Sequence, residues 1–117
     1  MRTNVGTVDD LHASAVKACG LDDFGVDDDN YREALGGVLL DSFARDAELT
    51  EFGSKMQRFF VRNALVARLV SVAAFKQYPQ HVDVPIERPI FVTGLPRTGT
   101  TAIHRLLTAD PAHQGLE

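Results

Sequence analysis

Tryptophan is missing from this 117-residue chain, cysteine occurs once, and methionine and tyrosine occur twice each. A single cysteine, Cys19, excludes an internal disulfide and suits a reducing compartment. Its neighbours make it a core residue at a helix end, not a nucleophile. No long apolar run is present either. The stretch from Phe59 to Phe75 is broken by Arg62, Asn63 and Arg68, so it does not read as a membrane span. The opening residues lack the apolar segment of a secretion signal. A cytoplasmic protein is the expectation. An excess of positive charge is also lacking: 12 Lys and Arg against 16 Asp and Glu leave a net charge of −4, which argues against a general nucleic-acid binder. His12, His81 and His113 are scattered without the spacing of a metal site, and no metal is expected.

What is there suffices for one domain or part of one. The hydrophobic content of 44% is ordinary for a globular protein. Charge is unevenly placed. Residues 1–51 hold 12 acidic and 4 basic residues, a net −8, and residues 52–117 hold 4 acidic and 8 basic, a net +4. The imbalance suits docking between the two halves and a mild attraction of the second half for anions, and equally well solvated faces that simply differ in charge.

The first 78 residues read as a helical region. Thr7 with Asp10 is a capping-box signal. Val8, Leu11, Ala15, Val16 and Cys19 then share a face, and Gly20 is placed to end the helix. Leu21 to Asn30 is an acidic linker whose five aspartates lack the alternating spacing and glycine of an EF-hand loop. A second helix is expected from about Asp29 to Arg45, with Tyr31, Leu35, Val38, Leu39, Ser42 and Phe43 as its stripe. Its Gly36-Gly37 pair suits close approach to another helix. Thr50 caps a third helix from Glu51 to Gln77, stopped by Tyr78-Pro79. One of its faces carries Phe52, Met56, Phe59, Phe60, Asn63, Val66 and Val70; another carries Val61, Leu65, Leu69 and Val72. Both faces are expected to be covered, with Phe59 and Phe60 in the core and Arg58, Arg62 and Arg68 in solvent. Residues 79–87 form an extended connector.

Chemistry concentrates in residues 88–117. Ile90, Phe91 and Val92 form a short apolar run, as in a parallel strand covered on both faces. A loop bounded by Gly94 and Gly99 follows, then a helix from about Gly99 to Ala109, stopped by Asp110-Pro111. A strand, a glycine-bounded loop and a helix start form an anion-binding arrangement, because the helix tip offers unpaired N–H groups and the positive end of its dipole. The spacing Gly94-x-x-x-x-Gly99-Thr100-Thr101 matches a Walker A loop except that Thr100 stands where an NTP site needs lysine. The loop's cation is Arg97, which suits a fork of hydrogen bonds to a shorter anion.

Pro96-Arg97-Thr98-Gly99-Thr100-Thr101 resembles the phosphosulfate-binding loop of sulfotransferases that use 3′-phosphoadenosine 5′-phosphosulfate (PAPS). Arg97 and Ala102, in place of the lysine and tryptophan usual in cytosolic aryl and steroid enzymes, make it similar to the bacterial branch. The acidic helical leader is similar to that of actinobacterial members. The sharp part of the likeness covers about a sixth of the chain. It implies an α/β, P-loop-like three-layer fold, of which the chain holds the N-terminal helical region and the first strand-loop-helix unit. It implies that Gly99, Thr100 and Thr101 bind the 5′-phosphate, that Thr98 lies at the loop turn beside the phosphosulfate, and that Arg97 contacts the oxygen bridging phosphorus and sulfur. Charge grows there as the sulfuryl group leaves, which would make Arg97 catalytic.

A strand buried on both faces needs parallel neighbours reached by crossovers, and no second strand candidate precedes Glu117. The expectation is therefore an N-terminal fragment, inactive alone, of an enzyme that moves a sulfuryl group from PAPS to a hydroxyl or amine of a small-molecule acceptor. A P-loop kinase or NTPase fragment, and a non-catalytic helical interaction module, are the alternatives. His104 and Arg105 read as helix-surface residues near the loop. The leader suits an acceptor lid or a dimer contact equally.

Overall fold

The computed structural model describes residues 5–26 and 30–115. The chain divides into two compact units, Met1–Val82 and Asp83–Glu117.

The first unit is helical. Helix α1 spans Val8–Cys19 and opens on the expected capping box: Thr7 Oγ1 accepts from the Asp10 N–H at 3.1 Å, and Asp10 accepts from the Thr7 N–H at 3.3 Å. Gly20, at φ 73°, closes it in the left-handed conformation that glycine adopts without strain. The second helix is a composite of α2 (Asn30–Glu33), a π-helical segment (Ala34–Leu40) and α3 (Asp41–Arg45). The Asp27 to Asp29 part of the linker lies outside the described residues. Helix α4 (Glu51–Gln77) has the expected bounds, with Thr50 Oγ1 accepting from the Gly53 N–H at 3.0 Å.

Helix α1 packs along α4. Leu11 and Ala15 from α1, Leu35 from the π segment, and Leu65 and Leu69 from α4 form the core. Val8, Val16, Cys19, Leu21, Phe24, Tyr31, Leu40, Val61 and Val66 surround it. Leu11 and Leu69 are fully enclosed, and burying a leucine in this way stabilises by about 1.5–3 kcal/mol. Gly36 makes the close helix approach: a Cβ there would lie 3.0 Å from Val8 Cγ2.

Several expectations change. Helix α4 is covered along one side, because α1, the linker and the π segment all use the stripe through Leu65 and Leu69. Phe52, Phe59, Phe60 and Val70 are 73%, 45%, 56% and 50% exposed, so Phe59 and Phe60 stand outside the core. Two arginines expected in solvent act as tethers. Arg58 Nη1 donates to the Val5 carbonyl at 3.0 Å and Arg68 Nε to the Phe24 carbonyl at 2.7 Å, with the Arg68 guanidinium 4.0 Å from the Tyr31 ring centre. Those carbonyls sit in irregular backbone, where no helical N–H reaches them, and a long guanidinium stem does. With the Lys76–Asp23 ion pair, these contacts join the acidic leader to the basic helix. Arg62 instead lies over Phe59, 5.4 Å from its ring centre.

The connector begins with a 3₁₀ turn, Pro79–Asp83, in place of extended chain. The His81 N–H donates to the Tyr78 carbonyl at 3.1 Å, and the His81 ring stacks on Phe75 with centroids 4.6 Å apart. That stacking holds the turn at the end of α4. No helix among the described residues is long and apolar enough to cross a membrane.

The second unit holds residues 90–94 as irregular chain followed by α5 (Thr100–Thr108). The strand expected at Ile90–Val92 is not formed, and the α/β reading is corrected to that extent: the described residues include no strand. A strand is defined by ladder bonds to a neighbour, and the described residues offer none. Ile90 and Phe91 are 55% and 84% exposed.

A candidate anion-binding loop

The loop between Gly94 and Gly99 turns at Pro96 and Arg97. Proline fixes its own φ for the second position of a tight turn, and in the type II form the third position requires a positive φ. Arg97 takes that place at φ 65°. Left-handed backbone costs a side-chain-bearing residue roughly 1–2 kcal/mol, which is why glycine usually stands there. Thr98 braces the turn, its Oγ1 donating to the Leu95 carbonyl at 2.6 Å. The threonine expected at the loop turn is there, with its hydroxyl proton committed to the loop itself.

The two glycines serve different needs. Gly94 is a matter of space: a Cβ there would fall 2.8 Å from Thr98 Oγ1 and 3.1 Å from Thr100 Cγ2. Gly99 is a matter of conformation, at φ 88° and ψ 13°, and a Cβ there would meet nothing within 4 Å. The space beside Gly99 is open.

Gly99 is the N-cap of α5 and makes no side-chain cap hydrogen bond. Its carbonyl accepts from the Ile103 N–H at 3.1 Å, which begins the helical ladder. The N–H groups of Thr100, Thr101 and Ala102 precede the first intrahelical carbonyl partner, so they are available to an outside acceptor. A serine, threonine or aspartate cap would have taken one of them. Glycine leaves the helix tip to whatever anion arrives, with the dipole favouring negative charge.

Among the residues singled out from the sequence, Arg97, Thr98 and Thr101 are exposed and Thr100 is half-buried. All lie within one loop and one helical turn. His104, one turn further along α5, is half-buried, and Arg105 is exposed. The left-handed conformation of Arg97 was missed by sequence reasoning, and the Pro96-Arg97 order was its available signal. No group of three or more His, Cys, Asp or Glu among the described residues is placed to hold a metal ion.

Chemically, the loop offers an uncapped helix tip, two threonine hydroxyls and one guanidinium, without the lysine of an NTP loop. Residues 89–117 match the sulfotransferase family model, so the loop and α5 both fall inside the matched segment. The crystal structure of sulfotransferase STF1 from Mycobacterium tuberculosis H37Rv is similar over nearly the whole chain. The two share 74% identity with a TM-score of 0.89, covering 97% of this chain and 31% of that one. The resemblance read from Pro96 to Thr101 therefore stands, and the chain spans about a third of the length of the sulfotransferase it matches. A search of curated proteins finds no match.

Proposed function

We propose that this chain is the donor-binding segment of a PAPS-dependent sulfotransferase, active as part of a longer protein. The observation that carries the reading is the uncapped tip of α5 behind Gly99, with Arg97 held in a costly conformation beside it. Strained backbone persists where the surrounding structure fixes it, and it clusters at ligand-binding sites. The residues fit the group. Three free N–H groups, two threonine hydroxyls and one guanidinium form a donor set with no acceptor-only side chain among them.

In this reading the N–H groups and hydroxyls of Gly99, Thr100 and Thr101 hold the 5′-phosphate. Thr98 shapes the turn beside the phosphosulfate. Arg97 donates to the bridging oxygen, where negative charge collects as the sulfur–oxygen bond breaks, and so stabilises the transition state more than the ground state. Bound PAPS supplies the sulfuryl group. The acceptor is a small molecule bearing a hydroxyl or amine, and the group that takes its proton, like the 3′-phosphate contacts, belongs to other parts of the enzyme. No metal takes part, and the cytoplasm is the proposed compartment.

The test is isothermal titration of the longer protein with PAP, the desulfated donor product, and with Mg-ATP. PAP binding in preference to ATP supports the assignment. Preference for Mg-ATP would instead favour a kinase or NTPase, the reading suggested by the Gly94-x-x-x-x-Gly99-Thr100-Thr101 spacing. PAP binding that ignores Arg97→Ala, together with no response to ATP, would leave a non-catalytic helical module.

A further inference from the structure

The composite second helix holds a seven-residue π-helical stretch, Ala34–Leu40, between two α-helical pieces. Runs of this kind are rare, because π-helices occur mostly as single-turn bulges carrying one extra residue, often at functional positions. The hydrogen bonds show where the extra residue sits. The Asp41 N–H reaches the Gly36 carbonyl, five residues back, and shares the Val38 carbonyl, passing over Gly37.

The sequence around it, Leu35-Gly36-Gly37-Val38-Leu39-Leu40, does not choose between registers. One π-helical turn after buried Leu35 comes Leu40, which packs against the core, while Leu39 is 40% exposed. One α-helical turn after Leu35 comes Leu39. An α register therefore puts a leucine in the same place over the core. Gly37 does not oppose the change, since a Cβ there would meet nothing within 4 Å. Gly36 keeps its contact with Val8 in either case, because it lies next to the anchored Leu35. The far end can absorb the displaced residue: the Ala47 N–H already bonds to the Ser42 carbonyl, five residues back, at 3.2 Å.

We propose that Ala34–Leu40 is a two-register element. Its π form packs Leu40 on the core; its α form packs Leu39 there and turns Asp41–Arg45 about the helix axis by about 100°, one residue's rotation. The N-terminal side is anchored by Leu35 and by the hydrogen bond between Tyr31 Oη and His12 Nε2 at 2.9 Å. The C-terminal side has no buried residue in α3. A shift would therefore move α3 while leaving the core seat filled. Such shifts fall on the microsecond-to-millisecond scale.

Relaxation-dispersion NMR of the leucine methyls and of the amides of residues 36–47 tests this. Exchange at Leu39 and Leu40 is expected, and flat profiles at both would overturn the proposal. In Leu40→Ala, Leu39 should gain nuclear Overhauser contacts to Leu35; a Leu39 still without them refutes the second register. Leu39→Ala removes an exposed side chain and should abolish the exchange while the protein stays folded. Exchange that persists in that variant also counts against the proposal. Deleting Gly37 puts Leu40 one α-turn from Leu35, and a folded deletion variant should show a single, exchange-free state.

Discussion

The two units handle apolar residues in opposite ways. In the first, five residues from α1, the π segment and α4 close into a core, and three cationic side chains of α4 fasten the leader. In the second, no described residue is fully buried, and Ile90, Phe91, Leu95, Ile103 and Leu106 are 50–84% exposed. The first unit carries its own stability. The second carries the chemistry proposed above, on a loop whose costly backbone at Arg97 no local core supports. The proposed anion recognition needs backbone N–H groups and one guanidinium, and none of these requires a buried core in its own unit.

Core truncation should give the sharpest contrast. Leu69→Ala removes a fully enclosed side chain and should destabilise the first unit by about 2–5 kcal/mol in urea denaturation followed by circular dichroism. Leu106→Ala removes a side chain that is 73% exposed and should shift the same transition by less than about 0.5 kcal/mol. A Leu106 effect as large as that of Leu69 would break the contrast.

The contrast also explains what could be read in advance. Three helix caps of the first unit were legible, because Thr7, Asp10, Gly20 and Thr50 act through bonds to residues three or four positions away. Gly36 was legible as a close-approach residue, though not its partner Val8. The covered side of α4 was not, since periodicity marks two apolar faces and only the packing of other elements selects one. The tethering arginines were hidden for a related reason: their acceptors, the carbonyls of Val5 and Phe24, are backbone groups that no residue type announces. In the second unit the loop and helix start followed from glycine spacing. The strand at Ile90–Val92 was read from an apolar run that needs a neighbour to become one. The register of the second helix was out of reach, because its leucine pair satisfies both periods.

Donor binding tests the second unit directly. In the longer protein, Arg97→Ala should weaken PAP binding by about 10- to 100-fold, the worth of one charge-assisted hydrogen bond. Arg97→Gly separates conformation from charge. Glycine relieves the left-handed strain yet lacks the guanidinium, so it should bind PAP as poorly as the alanine variant while being the more stable of the two. Wild-type affinity in Arg97→Gly would mean that only the turn matters.

A smaller effect separates the paired glycines of the first unit. Gly37→Ala adds a methyl group into open space and should stabilise by up to about 1 kcal/mol through helix propensity. Gly36→Ala places a Cβ 3.0 Å from Val8 Cγ2, so the α1 contact must give way and the gain should vanish or reverse. Thermal melts of the two variants should therefore move apart. Equal shifts would show that α1 does not press on the second helix at Gly36.

The smallest expected effect concerns the linker's electrostatic tie. The Asp23 carboxyl is held below its ordinary value of 3.8, first by its hydrogen bond from Lys76 and then by the Gly25 N–H, which donates to Oδ1 at 2.8 Å. A carboxylate with a depressed folded value adds stability that is complete above its unfolded value and is lost as pH falls through the folded one. The linker should therefore stay tied at neutral pH and release only at pH below 3.8. The Gly25 amide proton reports this directly, because its donation to Oδ1 weakens when the carboxylate is protonated. Its chemical shift should titrate with a midpoint below the ordinary carboxylate value, and Lys76→Ala should move that midpoint upward. Added salt should do the same more weakly, because the pair is solvent-exposed and screened. A Gly25 midpoint unchanged in Lys76→Ala would show that the turn, not the helix, holds Asp23, and the first unit would then lose the last of its three tethers.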